Sequence, residues 1–155
     1  MANLDQIDRR LLAELQEDGR MTNVELAGKV GLTAPPCLRR VRALEDRGVI
    51  KGYHAALDGA KLGYAITVFA LVSLRSQAET ALREFEDAMK SLPEVRECHM
   101  LNGEIDFILK IVSRDLQSFQ EFLTSKLTPA PNVASVKTSL TIRTAKQEPG
   151  VPLEV

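Results

Sequence analysis

The residues best suited to chemistry in this chain are basic side chains gathered in one short segment. Residues 33–51 hold two acidic side chains and five basic ones, which are Arg39, Arg40, Arg42, Arg47 and Lys51. The segment therefore carries a local charge of +3, although the whole chain has a formal charge of −1. Arginine forks bind phosphate and the edge of guanine, so this segment predicts a contact to nucleic acid. A solvated basic helix face is the alternative.

The other residues capable of chemistry form no cluster in the sequence. Cys37 and Cys98 lie far apart, which excludes a disulfide framework. His54 and His99 have no cysteine or carboxylate at metal spacing, and adjacent residues such as Cys98 and His99 point to opposite faces of a strand. We therefore predict no catalytic residue, no metal site and no cofactor.

Length and composition set the class of protein. A chain of 155 residues forms one domain or two small ones, and a hydrophobic fraction of 45% excludes disorder throughout. No apolar run approaches the roughly 18 residues of a spanning helix. The first residues show no basic segment followed by an apolar one. We therefore expect a cytoplasmic protein without a membrane partner.

The basic segment falls on the third of three predicted helices. Apolar spacing predicts helix 1 from about Gln6 to Asp18, and the pattern of Thr22 to Glu25 is a capping box that starts helix 2. Helix 2 ends at Gly31, and Thr33 begins helix 3, with two prolines in its first turn. Two helices joined by so short a turn predict a helix-turn-helix motif.

The helical wheel of helix 3 separates an apolar stripe from an arginine-bearing face. Cys37, Val41 and Leu44 fall on the stripe, so Cys37 is expected to be a small buried hydrophobic residue. Arg39 and Arg42 fall on the opposite side, where they are predicted to reach base edges or phosphates. Arg40 flanks the stripe and is expected to contact phosphate or to pair with an acid. Thr33 and the amides that begin the helix are predicted to hold a phosphate. The predicted DNA-binding residues are Thr33, Ala34, Pro35, Arg39, Arg40 and Arg42.

Strands and helices alternate in the remainder of the chain. The pattern predicts strands over residues 65–74, 95–101, 104–112 and 133–144, and helices over 79–92 and 116–127. Asn102-Gly103 predicts a two-residue hairpin between the second and third strands. This order is that of a ferredoxin-like βαββαβ unit, with both helices on one face of the sheet. The sheet face that carries no helices is expected to pack against another copy of the chain, which gives at least a dimer.

We therefore predict an α+β chain with an N-terminal, winged-type helix-turn-helix domain and a C-terminal ferredoxin-like domain. The expected limits are 1–52 for the DNA-binding domain, 53–63 for a hinge strand or linker, 64–146 for the ferredoxin-like oligomerisation domain, and 147–155 for a tail.

The chain resembles the Lrp/AsnC, or feast/famine, family of transcription regulators from Leu4 to about Lys146. The residues that carry the resemblance are Leu4–Arg9, Leu15–Arg20, Val30–Thr33, Pro36–Glu45, Gly48–Tyr53, Glu97–His99 and Gly103–Phe107. Membership implies a regulator that binds double-stranded DNA, forms homodimers through its second domain, and often assembles four dimers into an octamer. Relatives also include subunits of a decarboxylase of haem biosynthesis, but the arginines of helix 3 argue against that enzymatic alternative.

The resemblance also implies an effector site for a free amino acid, located where dimers meet. The amides around Gly103 would hold the ligand carboxylate, and Glu104 or Asp106 would hold its ammonium group. Ser139 departs from the large or aromatic residue that is common at its position. The implied effector-binding residues are Met100, Leu101, Asn102, Gly103, Glu104, Asp106, Leu116, Ser139, Leu140 and Thr141.

Overall fold

The computed structural model describes residues 3–154, which fold as two compact units. The first unit consists of residues up to Ala56 together with the segment from Lys146 onward, and the second is Leu57–Ala145. Among residues 3–154, no helix is long and apolar enough to cross a membrane. The element order confirms the predicted sequence of three helices followed by a βαββαβ arrangement.

The first unit is built from three helices, α1 (Gln6–Glu17), α2 (Asn23–Val30) and α3 (Ala34–Asp46). Capping boxes start α1 and α2, because the side chains of Asp5 and Thr22 accept the backbone N–H of the third helical residue. The apolar stripes of the three helices meet in one core, whose buried members are Leu11, Leu26, Ala27, Val30, Cys37 and Leu44. The predicted burial of Cys37 is therefore confirmed.

A left-handed residue makes the turn between α2 and α3. Gly31 has a φ of 73°, and the N–H of Leu32 donates to the carbonyl of Ala27 over 2.9 Å. This C-terminal cap satisfies a free carbonyl of α2 and redirects the chain within two residues. The short turn that a helix-turn-helix motif requires is thus present.

The second unit is a four-stranded antiparallel sheet in the order β2-β3-β1-β4. Its elements are β1 (Ile66–Leu74), α4 (Glu79–Lys90), β2 (Val95–Met100), β3 (Phe107–Ser113), α5 (Leu116–Phe122) and β4 (Val133–Leu140). A π-helical turn over Leu123–Leu127 continues α5. This topology confirms the ferredoxin-like prediction.

Both helices pack on the same face of this sheet. Phe85 and Met89 of α4 join Phe119 and Phe122 of α5 in a core with alternate residues of the central strands, which include Val68, Ala70, Val72, Leu109 and Ile111. The intervening residues point to the other face. Among them, Phe69 remains 37% exposed although it lies on a central strand.

Several predicted boundaries were wrong. The connection between β2 and β3 is a six-residue loop over 101–106, not a two-residue turn, and Gly103 does not adopt positive φ. The loop is longer because Asp106 is held at the end of β1, where its backbone N–H donates to the Val72 carbonyl over 3.1 Å. Likewise, β4 ends at Leu140 and leaves Ile142 96% exposed.

The segment after α3 also differs from its prediction. The segment predicted as a hinge strand or linker, residues 53–63, forms no strand, and turns occupy its residues 59–63. A strand requires a hydrogen-bonded neighbour, which this segment does not find within the single chain.

The conformation of Gly31 generates a prediction with an internal control. Gly31→Ala should destabilise the helical unit by about 1–2 kcal/mol, because an L-residue resists the left-handed region. No heavy atom lies within 4 Å of the added methyl, so the cost is that of the backbone alone. Gly28→Ala, inside α2 and equally unobstructed, should stabilise the unit by about 0.5–1 kcal/mol. Amide hydrogen exchange of α1 and α3 measures both; equal protection in the two variants would contradict this account.

Candidate functional site

The outward face of α3 presents two arginines without acidic partners. Arg39 and Arg42 are exposed and line a shallow surface groove with Pro35, Leu38, Ala43 and Asp46. Within residues 3–154, neither guanidinium takes part in a salt bridge, whereas Arg40 takes part in two. The donors of Arg39 and Arg42 are therefore available to an external acceptor such as a phosphate or a guanine edge.

Arg40 has a different partner, and it fixes the position of α3. One guanidinium nitrogen, Nη1, lies 2.7 Å from a carboxylate oxygen of Asp5 and 2.7 Å from one of Asp8. The pKa of Asp5 is lowered, first because its carboxylate accepts the backbone N–H of Asp8 and then because Arg40 binds it. Of the two roles predicted for Arg40, the structure shows the pairing with an acid.

The first turn of α3 offers fewer amide donors than expected. Thr33 is the N-cap residue, but its hydroxyl makes no capping hydrogen bond. Pro35 and Pro36 have no N–H, which leaves Ala34 as the only donor among the first three helical residues. A phosphate at this terminus would therefore be held by the Ala34 amide and the free Thr33 hydroxyl rather than by a row of amides.

Two residues that support this face were absent from the predicted set. Asn23, the first residue of α2, donates from Nδ2 to the Ala34 carbonyl over 2.7 Å and so holds the start of α3. Its Oδ1 is buried and has no hydrogen-bond partner within the described chain. Asp8 is itself buried at 8% exposure beneath Arg40. An acid three residues after the N-cap Asp5, as in a capping box, was the signal available in the sequence for Asp8; the sequence offers none for Asn23.

The predicted effector residues of the loop lie at one end of β1. Met100, Leu101, Asn102, Gly103 and Glu104 are all exposed. Asp106 is half-buried because its Oδ2 accepts the backbone N–H of Leu74 over 2.7 Å, while Oδ1 accepts from Gln77 over 3.3 Å. The Asp106 carboxylate therefore binds the backbone at the end of β1, and part of the side chain remains accessible to solvent.

The remaining effector residues lie toward the other end of β1. Thr141 donates its backbone N–H to the Thr67 carbonyl over 2.9 Å, and Ser139 pairs with Phe69. Leu140 and Leu116 are 50% and 61% exposed. Seven residues separate Thr67 from Leu74, which is roughly 23 Å at the rise of a strand. Within one chain, the two groups of predicted effector residues are thus not brought together.

A charged cluster lies on the sheet face that the helices leave open. Lys110 Nζ binds Glu97 Oε1 at 2.9 Å, and His99 Nε2 lies 3.3 Å from Glu97 Oε2. The hydrogen bond from Lys110 is the largest cause of the lowered pKa of Glu97. The neighbouring Cys98 points to the helix side, where burial raises the pKa of its thiol to about 11. A thiol with this pKa is protonated at neutral pH and is a poor nucleophile.

No metal site is evident in the part of the chain that the structure describes. Residues 3–154 bring together no three His, Cys, Asp or Glu side chains that could hold an ion.

Two protein-family models match the chain, one over the three helices and the other over the βαββαβ elements. Residues 4–51 match the winged helix-turn-helix DNA-binding model, and residues 67–151 match the Lrp/AsnC ligand-binding domain model. The leucine-responsive regulatory protein of Rhizobium meliloti is 52% identical over 143 residues, which covers 92% of each chain. The Bkd operon transcriptional regulator of Pseudomonas aeruginosa is 41% identical over 153 residues, or 99% of this chain and 100% of that one.

Solved structures agree with these matches. A transcriptional regulator of Neisseria meningitidis in complex with L-Met superposes with a TM-score of 0.92 at 35% identity, covering 97% of both chains. An AsnC family transcriptional regulator of Agrobacterium tumefaciens gives a TM-score of 0.90 at 30% identity, covering 96% of this chain and 97% of that one. The chain belongs to the Lrp/AsnC family of DNA-binding transcriptional regulators, with an N-terminal helix-turn-helix unit and a C-terminal ligand-binding domain.

Proposed function

We propose that the protein is a sequence-specific regulator whose DNA affinity or oligomeric state is set by a free amino acid. The observation that carries the proposal is the outward face of α3, where Arg39 and Arg42 are exposed and make no salt bridge with residues 3–154. Their helix is held by Arg40 through Asp5 and Asp8. A recognition helix needs such a fixed support, because its side chains must meet base edges in register.

The direct readers of DNA in this proposal are Arg39 and Arg42. Each can fork to a guanine or bind a phosphate, and the small Ala34 and Pro35 let the start of α3 approach the groove closely. Thr33 and the Ala34 amide hold a backbone phosphate, which sets the register of the helix. Arg40 acts from behind this surface as a positioning residue.

Replacing Arg42 by Ala should weaken binding to a duplex selected by the wild-type protein by roughly 1–3 kcal/mol, if Arg42 reads a base. The loss should be largest for the selected sequence and smaller for a scrambled one. Gel-shift or anisotropy titrations at several salt concentrations measure both the affinity and its salt slope.

The matched control for this substitution is Arg83→Ala on α4, an exposed arginine whose partner is Glu79. Arg83→Ala should leave the affinity unchanged. An Arg42→Ala protein with the wild-type affinity and the wild-type salt slope would overturn the assignment.

The assembly in this proposal is a homodimer formed through the open sheet face, with dimers assembling further to an octamer. The face carries Phe69, Leu71 and Ile108 between the polar residues of its edges. Phe69 is a large aromatic residue on a central strand and is 37% exposed. Such a residue favours packing against an apolar surface of a partner chain. The division of the predicted effector residues between two ends of β1 also supports an effector site shared between copies.

Phe69→Asp should reduce the mass of the particle in solution, because a carboxylate buried without a partner is costly at an apolar interface. Sedimentation or light scattering gives the mass, and circular dichroism confirms that the chain remains folded. Arg83→Asp, on the helix-covered side of the sheet, is the control and should keep the wild-type mass. A Phe69→Asp protein with unchanged mass would place the interface elsewhere.

The effector in this proposal is a zwitterion held by the loop over 101–106. Exposed amides near Gly103 take its carboxylate, and Asp106 or Glu104 takes its ammonium group. Leu116, Ser139, Leu140 and Thr141 of a neighbouring copy then contact its side chain. The structural relative that binds L-Met supports an amino acid as the ligand class.

A thermal-shift screen of the twenty amino acids should show stabilisation by one narrow group, by about 2.7 kcal/mol at a hundredfold excess over Kd. Asp106→Ala should abolish this shift. Asp106→Asn should abolish it as well, although the amide oxygen still accepts the Leu74 N–H that Asp106 binds. Asp87→Asn, which alters an exposed ion pair on α4, is the control. If Asp106→Asn retained the thermal shift, the Asp106 carboxylate would not be a ligand contact.

A further inference from the structure

The segment that follows the second unit contacts α1 of the helical unit through one side chain, Gln16. Gln16 of α1 donates from Nε2 to the Val151 carbonyl over 2.9 Å, and its Oε1 accepts the Val151 N–H over 3.1 Å. One amide side chain thus forms both hydrogen bonds that a neighbouring strand residue would form. A reciprocal pair fixes both the position and the direction of the docked backbone.

Two independent features show that this contact requires glycine at residue 150. Its φ of 72° lies in the left-handed region that disfavours L-residues. A Cβ built on it would collide with the carboxamide of Gln16 and would lie 3.0 Å from its Cγ atom. The backbone of residue 150 therefore passes closer to α1 than a side chain would permit. Three residues later, Leu153 is half-buried while its neighbours Pro152 and Glu154 are exposed.

We propose that residues 149–153 are a strap that docks on α1 of the same chain through Gln16. The chain leaves the helical unit after Ala56 and re-enters it at Lys146, so the docked strap gives the helical unit a second connection to the second unit, Leu57–Ala145. A unit joined through two connections explores fewer orientations than one joined through a single flexible segment. The strap begins fewer than ten residues after Leu140 and Thr141, which belong to the proposed effector set.

Disulfide trapping tests whether the strap docks, and on which chain. Because a Cβ at residue 150 would lie 3.0 Å from Cγ of Gln16, a sulfur at that Cγ position is placed for a disulfide. The variant carries Gln16→Cys and Gly150→Cys in a Cys98→Ser background, and Cys37 is buried. Mild oxidation should give an internal cross-link, seen as a faster-migrating single chain on a non-reducing gel.

The control pair is Glu17→Cys with Gly150→Cys, because Glu17 is the neighbour of Gln16 in the sequence and its side chain leaves α1 in a different direction. Cross-linking should be several-fold faster in the Gln16→Cys pair than in the Glu17→Cys pair. Covalent dimers would assign the strap to a second copy and overturn docking within the chain. Because Gln16→Cys also removes the two hydrogen bonds of Gln16, equal, slow reaction of both pairs together with an unaltered Val151 exchange rate in Gln16→Ala would show that the segment does not dock.

Hydrogen exchange of the unmodified backbone provides a second measurement, free of the strain that a cysteine meets at residue 150. Gln16→Ala removes both hydrogen bonds and should speed exchange of the Val151 amide by about three- to tenfold. Glu17→Ala should leave it unchanged. An unaltered Val151 rate in Gln16→Ala would overturn the proposal.

A separate measurement tests whether the docked strap restrains the rotation of the helical unit. A dye attached at Gly28→Cys, an exposed and unobstructed position on α2, reports the rotation of this unit through its anisotropy decay. Gln16→Ala should increase the fast component about twofold, and an unchanged decay would show that docking does not restrain the unit. None of these measurements requires DNA or an amino acid, so they stand or fall separately from the proposed regulatory function.

Discussion

The ionic contact of Arg40 with Asp5 and Asp8 is the constraint on which the helical unit depends. Asp8 is buried, and a buried carboxylate is tolerated only with a cation or several hydrogen bonds. Arg40 supplies that cation from α3, while Asp5 is also the N-cap of α1. One side chain therefore neutralises a buried charge, completes the start of one helix and fixes the rotation of another. The arginines on either side of Arg40 in the sequence can then face outward because this one faces inward.

The second unit depends on a different constraint, which is that a sheet has two faces and its two helices cover only one of them. Alternation along β1 and β3 places Val68, Ala70 and Val72 under the helices and leaves Phe69 and Leu71 on the other side. The same alternation that builds the core thus also builds a surface with apolar residues on central strands. In the proposed assembly this surface is the core of the dimer, so one strand pattern specifies both the folding of the unit and its association.

Features carried by residues close in sequence were predictable. The capping boxes, the left-handed Gly31 and the periodicity of each helix are local, and they gave the order of elements and the outward placement of Arg39 and Arg42. Contacts between distant residues were not. Nothing in the sequence states that Arg40 reaches back 35 residues to Asp5, or that Asn23 holds the Ala34 carbonyl. The loop over 101–106 shows the same limit, because its length is set by the hydrogen bonds of Asp106 to β1 rather than by Asn102-Gly103.

The spacing along β1 has a consequence for how such a protein responds. A free amino acid is far shorter than the roughly 23 Å between Thr67 and Leu74 of β1, which bind Thr141 and Asp106 respectively. In the proposed assembly, a complete ligand pocket therefore exists only where two copies meet, and its occupancy follows the abundance of the protein as well as that of the amino acid. In that assembly, a cell that made more of the regulator would become more sensitive to the same nutrient level, with no change in any residue of the pocket.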